Sequence, residues 1–166
     1  ATSVPGALFN TITYPQEQID ADMAVFYDYL TGLDNVDPTR VGVMGFCFGG
    51  YQSVVFAVNN PSATRAVLTY YGGRQPRTEE TLEPLVGEDV AVLGVFGAED
   101  ASIPLSDVES FENALNSLGV AAEVEVYEGV GHAFVTELEG DSTSAQAWAR
   151  GIAFLNAQLG ETAEAG

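Results

Sequence analysis

Apolar residues along this chain switch repeatedly between two spacings. Ile19, Met23, Phe26, Tyr27 and Leu30 recur at intervals of three and four, which predicts an amphipathic helix from about 15 to 30. Pro15 suits its first turn because its φ is already helical and its missing N–H is not needed there. Val41 to Met44 reads as a strand. A helix from about 48 to 58 follows and stops at Asn59-Asn60-Pro61, and residues 66 to 70 (Ala-Val-Leu-Thr-Tyr) form the next strand. Residues 72 to 89 are a long polar connection carrying Arg74, Arg77 and several acids. The run 90 to 96 (Val-Ala-Val-Leu-Gly-Val-Phe) is apolar at every position, as a strand buried on both faces requires. Leu105, Val108, Phe111, Leu115 and Leu118 mark a helix ended by Gly119. Residues 122 to 127 then alternate Val124 and Val126 with Glu123 and Glu125, the pattern of a half-exposed edge strand. A last helix from about 142 to 159 turns Trp148, Ile152 and Leu155 inward.

Strand and helix in regular alternation predict an α/β fold: a mainly parallel sheet of about four strands with helices on both faces. Residues 1 to 166 are expected to form one domain, with an N-terminal segment at 1 to 15 and a frayed tail at 160 to 166. Only the first fifteen residues and one helix precede the strand at 41, too few for a further crossover unit, so that strand is expected at a sheet edge. Apolar edges invite pairing. A second copy of the chain, forming a homodimer, or the N-terminal segment folded back would cover it.

Composition changes this picture in two places. The chain has 24 acidic side chains against five basic ones, all arginine, and a net charge of −19. The acids are scattered over predicted helices and loops rather than gathered in one tail, so a solvated, halophile-like surface accounts for them most simply; an acidic face for a basic partner is the rival reading. Nucleic-acid binding is disfavoured, because neutralising phosphates needs clustered cations. A single cysteine excludes an intramolecular disulfide and suits a reducing, cytoplasmic setting. No charged-then-apolar leader and no apolar run near eighteen residues occurs, which points to neither secretion nor membrane insertion.

That cysteine carries the candidate chemistry. Gly45-Phe46-Cys47-Phe48-Gly49 places it between a buried strand and a helix start, with glycines two residues to either side, where a Cβ would collide as strand and helix pack around the turn. Such an elbow lifts the sulfur clear of the sheet and sets it at a helix N-terminus, where the macrodipole favours thiolate. A lone cysteine beside a strand is more often a small buried filler, but a filler needs no flanking glycines. A nucleophile needs a base, and the sole histidine, His132, follows the 122 to 127 strand in a glycine-rich loop. The base needs an orienting acid. Asp100 lies just past the end of the 90 to 96 strand, with Glu99 beside it as a competitor.

Three stretches then form a pattern: Gly-Phe-Cys-Phe-Gly-Gly at 45 to 50, Phe-Gly-Ala-Glu-Asp-Ala-Ser-Ile-Pro at 96 to 104, and Gly-His-Ala-Phe at 131 to 134, with Tyr-Tyr-Gly at 70 to 72 as a fourth. The chain resembles the dienelactone hydrolases of the α/β-hydrolase superfamily over about residues 16 to 159, in shortened form. The resemblance implies a Cys47, His132 and Asp100 triad, the Phe48 N–H as an oxyanion donor, Tyr70 lining the substrate pocket, and hydrolysis of small esters or lactones through a thioester. It implies no metal and no cofactor. Family members carry a longer N-terminal region with further strands, a second oxyanion donor, a glutamate near the cysteine and an arginine for the substrate carboxylate. A second family arginine falls at Thr136 here. Two other readings stand beside this one. A glutamine-amidotransferase-like or protease-like cysteine enzyme is expected to carry its acid near the histidine, and Ala133-Phe134 offers none; a non-catalytic descendant would bind a small ligand or partner.

Overall fold

The structure, a computed structural model, describes residues 14 to 160. The described residues divide into two compact units, parted between Pro38 and Thr39. In the first, helix α1 (Gln16–Thr31) starts directly after Pro15, which holds φ −60° and an extended ψ at the N-cap. Side chains four apart support it, Gln16 donating to Asp20 at 2.7 Å and Gln18 to Asp22 at 2.9 Å. Ile19, Met23 and Tyr27 are half-buried, but Phe26 and Leu30 are exposed at 66% and 47%, so the expected stripe narrows to a single row spaced by four.

The second unit is built on strands β1 (Gly42–Phe46), β2 (Ala66–Tyr70), β3 (Ala91–Gly97) and β4 (Ala121–Tyr127). They lie in the order β1-β2-β3-β4, every pair parallel, with Phe46 opposite Tyr70 and Val95 opposite both Tyr70 and Glu125. Every residue of β2 and β3 is buried, the outcome of near-continuous apolar composition in central parallel strands. Among the described residues β1 is an edge, with Met44 and Phe46 each 38% exposed. The other edge, β4, departs from strict alternation: Val126 is 40% exposed, while Glu125 is half-buried under Arg150.

Helices α2 (Phe48–Asn59), α4 (Leu105–Ser117) and α5 (Thr143–Leu159) cover the sheet. Gly50 of α2 meets Thr69, and Phe111 of α4 lies against Gly94, the register partner of Thr69, so α2 and α4 share one face. Gly151 of α5 lies directly over Leu68 and Tyr70, which point the opposite way along the same strand. The 72 to 89 connection is not wholly irregular. A short helix α3 (Glu79–Leu82) starts at a capping box between Thr78 and Thr81, and a single 3₁₀ turn (Glu83–Leu85) follows. Leu82 and Leu85 are fully buried there, three residues apart. The signal was present in Thr78-x-x-Thr81 and that Leu pair; the surrounding charges mask it.

Four of the five arginines act as ties. Arg40 donates to the Leu159 carbonyl at 2.9 Å and Arg65 to that of Gln158 at 3.3 Å, while Arg77 pairs with Asp107 at 2.8 Å and Arg150 with Glu123 and Glu125. No described helix is long and apolar enough to cross a membrane.

Candidate active site

The ends of β1, β3 and β4 supply the chemistry. β1 stops at Phe46, α2 starts at Phe48, and Cys47 between them takes φ 52° and ψ −118°, a left-handed conformation that non-glycine residues adopt only when their surroundings impose it. Two hydrogen bonds do so here. The Cys47 N–H extends the β1–β2 ladder to the Tyr70 carbonyl at 3.1 Å, and its carbonyl accepts from Tyr51 N–H at 3.1 Å as the first bond of α2. The glycines contribute differently from expectation. A Cβ on Gly45 would lie 2.1 Å from the Gly49 carbonyl oxygen, and one on Gly50 would lie 2.7 Å from the Tyr70 carbonyl, but one on Gly49 would meet nothing within 4 Å. Close packing at the elbow therefore rests on Gly45 and Gly50, because Gly49 faces away from the strand.

The loops after β3 and β4 are joined to each other. Ala98 N–H donates to the Tyr127 carbonyl at 2.9 Å and Glu99 N–H to that of Val130 at 2.9 Å, which brings the acid and the histidine side by side. Glu99 then points to solvent. Asp100 turns inward, its side chain only 1% exposed, and its Oδ2 accepts from His132 Nδ1 at 2.6 Å. A proton on Nδ1 leaves Nε2 with a free lone pair, and Cys47 Sγ lies 3.0 Å from it. The three expected residues thus form one hydrogen-bonded line, although 85 residues separate the sulfur from the imidazole.

Electrostatics refine the line. Burial would push the Asp100 carboxyl up, but hydrogen bonds from the Ser102 hydroxyl, His132 and the Ser102 N–H, with the charge of His132, outweigh it and hold the group below its ordinary range. Burial and then the Asp100 charge push the Cys47 thiol up. Both effects oppose the thiolate that the helix N-terminus favours, and the sulfur lies within hydrogen-bonding distance of its candidate base.

Phe48 is the first residue of α2, and its N–H has no carbonyl four residues back to bond within the helix. Tyr70, expected to line a pocket, is instead fully buried. Its ring stacks on Phe46 with centroids 4.8 Å apart, and its hydroxyl donates to the Ala147 carbonyl at 3.2 Å. Its neighbour Tyr71, at φ 39°, is the one that reaches the histidine, with ring centroids 5.2 Å apart. Alternation along β2 explains the exchange: Tyr70 is still in the strand and points under α5, whereas Tyr71 has left it. Burial and the neighbouring Cys47 push the Tyr71 phenol up to about 12, while a hydrogen bond from the Val135 backbone pulls the other way.

Ser102 is a second residue that sequence reading passed over. Its hydroxyl donates to Asp100 Oδ1 at 2.6 Å and its N–H to the same oxygen at 2.8 Å. The available signal was Asp-x-Ser, the spacing of a side chain that turns back on its own backbone. Among the described residues, no group of three or more His, Cys, Asp or Glu side chains is placed to hold a metal ion.

Comparison with known proteins gives this geometry its context. The sequence profile of the dienelactone hydrolase family matches residues 4–159. The chain belongs to the dienelactone hydrolase family. A relative from Synechocystis sp., provisionally named a carboxymethylenebutenolidase, is 32% identical over 139 residues, 79% of this chain and 56% of that protein. A relative of the same provisional name from Methylorubrum extorquens is 31% identical over 126 residues, 72% of this chain and 43% of its own length. The chain therefore spans about half the length of these curated relatives. Among solved structures, a provisionally named dienelactone hydrolase from Klebsiella pneumoniae superposes with a TM-score of 0.75 at 27% identity, covering 93% of this chain and 68% of that one. A dienelactone hydrolase-like promiscuous phosphotriesterase from metagenomic libraries has a TM-score of 0.69 at 22% identity, covering 87% of this chain and 66% of its own, and shares the fold.

Proposed function

We propose that this chain carries the catalytic centre of a hydrolase of small esters or lactones, with Cys47 as nucleophile, His132 as general base and Asp100 as the residue that orients the histidine. The observation that carries the reading is the line Cys47 Sγ, His132, Asp100, with steps of 3.0 and 2.6 Å, held on the ends of three strands of one parallel sheet. His132 Nε2 takes the thiol proton as Sγ attacks the carbonyl carbon. The Phe48 N–H faces the developing oxyanion; one such donor is worth roughly 10²–10³-fold in rate. Collapse breaks the ester C–O bond, and His132 returns the proton to the leaving oxygen. Water, deprotonated by His132, then cleaves the thioester, releasing the acid and restoring the thiol. Asp100 stays ionised throughout and stabilises the imidazolium.

A free catalytic thiol supports a reducing, cytoplasmic setting. The scattered acids support a surface adapted to high salt. The outer edge of β1, unpaired among the described residues, supports a homodimer formed by a second copy of the chain; light scattering at high salt would return twice the chain mass.

The test is hydrolysis of short-chain nitrophenyl esters in molar salt by the wild type, Cys47→Ala and His132→Ala. Both variants are expected to lose activity by roughly 10³-fold or more. Equal rates in all three would remove the hydrolase reading. The second reading, a binding descendant without turnover, predicts ester binding to wild type and Cys47→Ala alike with no product.

A further inference from the structure

Asp100 is nearly buried, yet four donors converge on it. His132 Nδ1 occupies Oδ2 at 2.6 Å, while Oδ1 takes the Ser102 hydroxyl at 2.6 Å, the Ser102 N–H at 2.8 Å and the Ile103 N–H at 3.2 Å. The two backbone donors belong to the turn that leads into α4 and would be present with any side chain at 102. The hydroxyl is specific to this residue, and its short distance is that of a charge-assisted bond. The same oxygen also lies 3.4 Å from His132 Nδ1, so Ser102 touches both members of the pair.

We propose that Ser102 is a positioning residue that sets the pH at which His132 becomes a usable base, by neutralising part of the Asp100 carboxylate through Oδ1, the oxygen that the imidazole does not hold. This rests on the hydrolase reading for its role in catalysis, but not for its effect on the histidine.

The direction follows from two contributions of the same sign. Without the hydroxyl, Asp100 loses its shortest donor on Oδ1, and burial raises its protonation constant. The ionised carboxylate also concentrates more charge on Oδ2, which holds the imidazolium proton more tightly. Both move the acidic limb of activity to higher pH. The other titratable groups facing the pair do not compete in this range: the Cys47 thiol is pushed upward by burial, the Tyr71 phenol is pushed up to about 12, and the Glu99 side chain is exposed. A hydrogen bond to a charged group is worth enough to move the limb by roughly one pH unit.

The experiment compares wild type, Ser102→Ala and Ser102→Thr. His132 is the sole histidine, so an NMR titration of its ring protons reads the constant directly, without turnover. Ser102→Ala is expected to raise that constant, and the acidic limb of kcat/KM on a nitrophenyl ester, by roughly one pH unit, and Ser102→Thr to restore both. Thermal melts accompany each variant. If Ser102→Ala does not fold, Ser102→Gly, which keeps both backbone donors, takes its place. An unshifted histidine in Ser102→Ala, or the same shift in Ser102→Thr, would overturn the proposal. An esterase-inactive wild type with a shifted histidine in Ser102→Ala would leave it standing and remove the hydrolase reading instead.

Discussion

His132 Nδ1 donates to Asp100 Oδ2 at 2.6 Å, and the carboxylate that receives the bond is the one buried acid of the adjacent pair Glu99 and Asp100. Converting Asp100 to Asn puts an amide where only an acceptor serves. The amide N–H₂ would face the ring N–H, the histidine would change tautomer, and ester hydrolysis is expected to fall roughly 10³–10⁴-fold. Asp100 also titrates below its usual range, so its contribution to stability is present above the unfolded carboxyl value, near 4, and is lost as pH falls through the lower folded value. The difference in unfolding free energy between wild type and Asp100→Asn should therefore shrink below about pH 4. A difference that stays constant from neutral pH to acid would count against this assignment.

Cys47 should behave as a thiol at rest. Burial, and then the Asp100 charge, raise it above its reference value of 9.0. The rate of alkylation by iodoacetamide is expected to climb with pH through a midpoint above 9.0, and Asp100→Asn should lower that midpoint. A midpoint in the acidic range would mean a preformed thiolate–imidazolium pair and a different resting state.

Gly45 and Gly49 look equivalent in the sequence and are not equivalent in space. Gly45→Ala drives a Cβ into the Gly49 backbone and should cost more than about 2 kcal/mol with loss of the elbow geometry. Gly49→Ala, on a helical residue with open space beside it, should be neutral or stabilising by up to about 1 kcal/mol. Chemical denaturation of both variants checks the contrast; similar losses in the two would show that the elbow packs otherwise.

With 24 acids, five arginines and most of those arginines committed to ties, the folded chain repels itself. Raising salt from 0.1 to 1 M shortens the screening length from about 10 Å to about 3 Å. The melting temperature should rise over that interval, equally in KCl and NaCl. A flat or falling trend would refute the salt-adapted surface.

Local rules made much of this protein readable from its sequence. Continuous apolar runs, one alternating segment, three-to-four spacing and stop signals found the four strands and the long helices, because burial imposes its pattern on whatever residues supply it. Cys47, Asp100 and His132 could be singled out because each follows a strand, and ligating groups gather at strand ends in a parallel sheet. Pattern alone could not choose between neighbours. Glu99 or Asp100, Tyr70 or Tyr71, and Gly49 or Gly50 each differ by one position, and that position decides which way a side chain points. The state of the sulfur was likewise beyond reach, since it depends on how much water the fold removes and on a carboxylate 53 residues further along the chain. The sequence by itself determined the elements and the chemical types at their ends. Tertiary structure decided which of them meet, because direction, burial and electric field are properties of the assembled sheet and not of any segment within it.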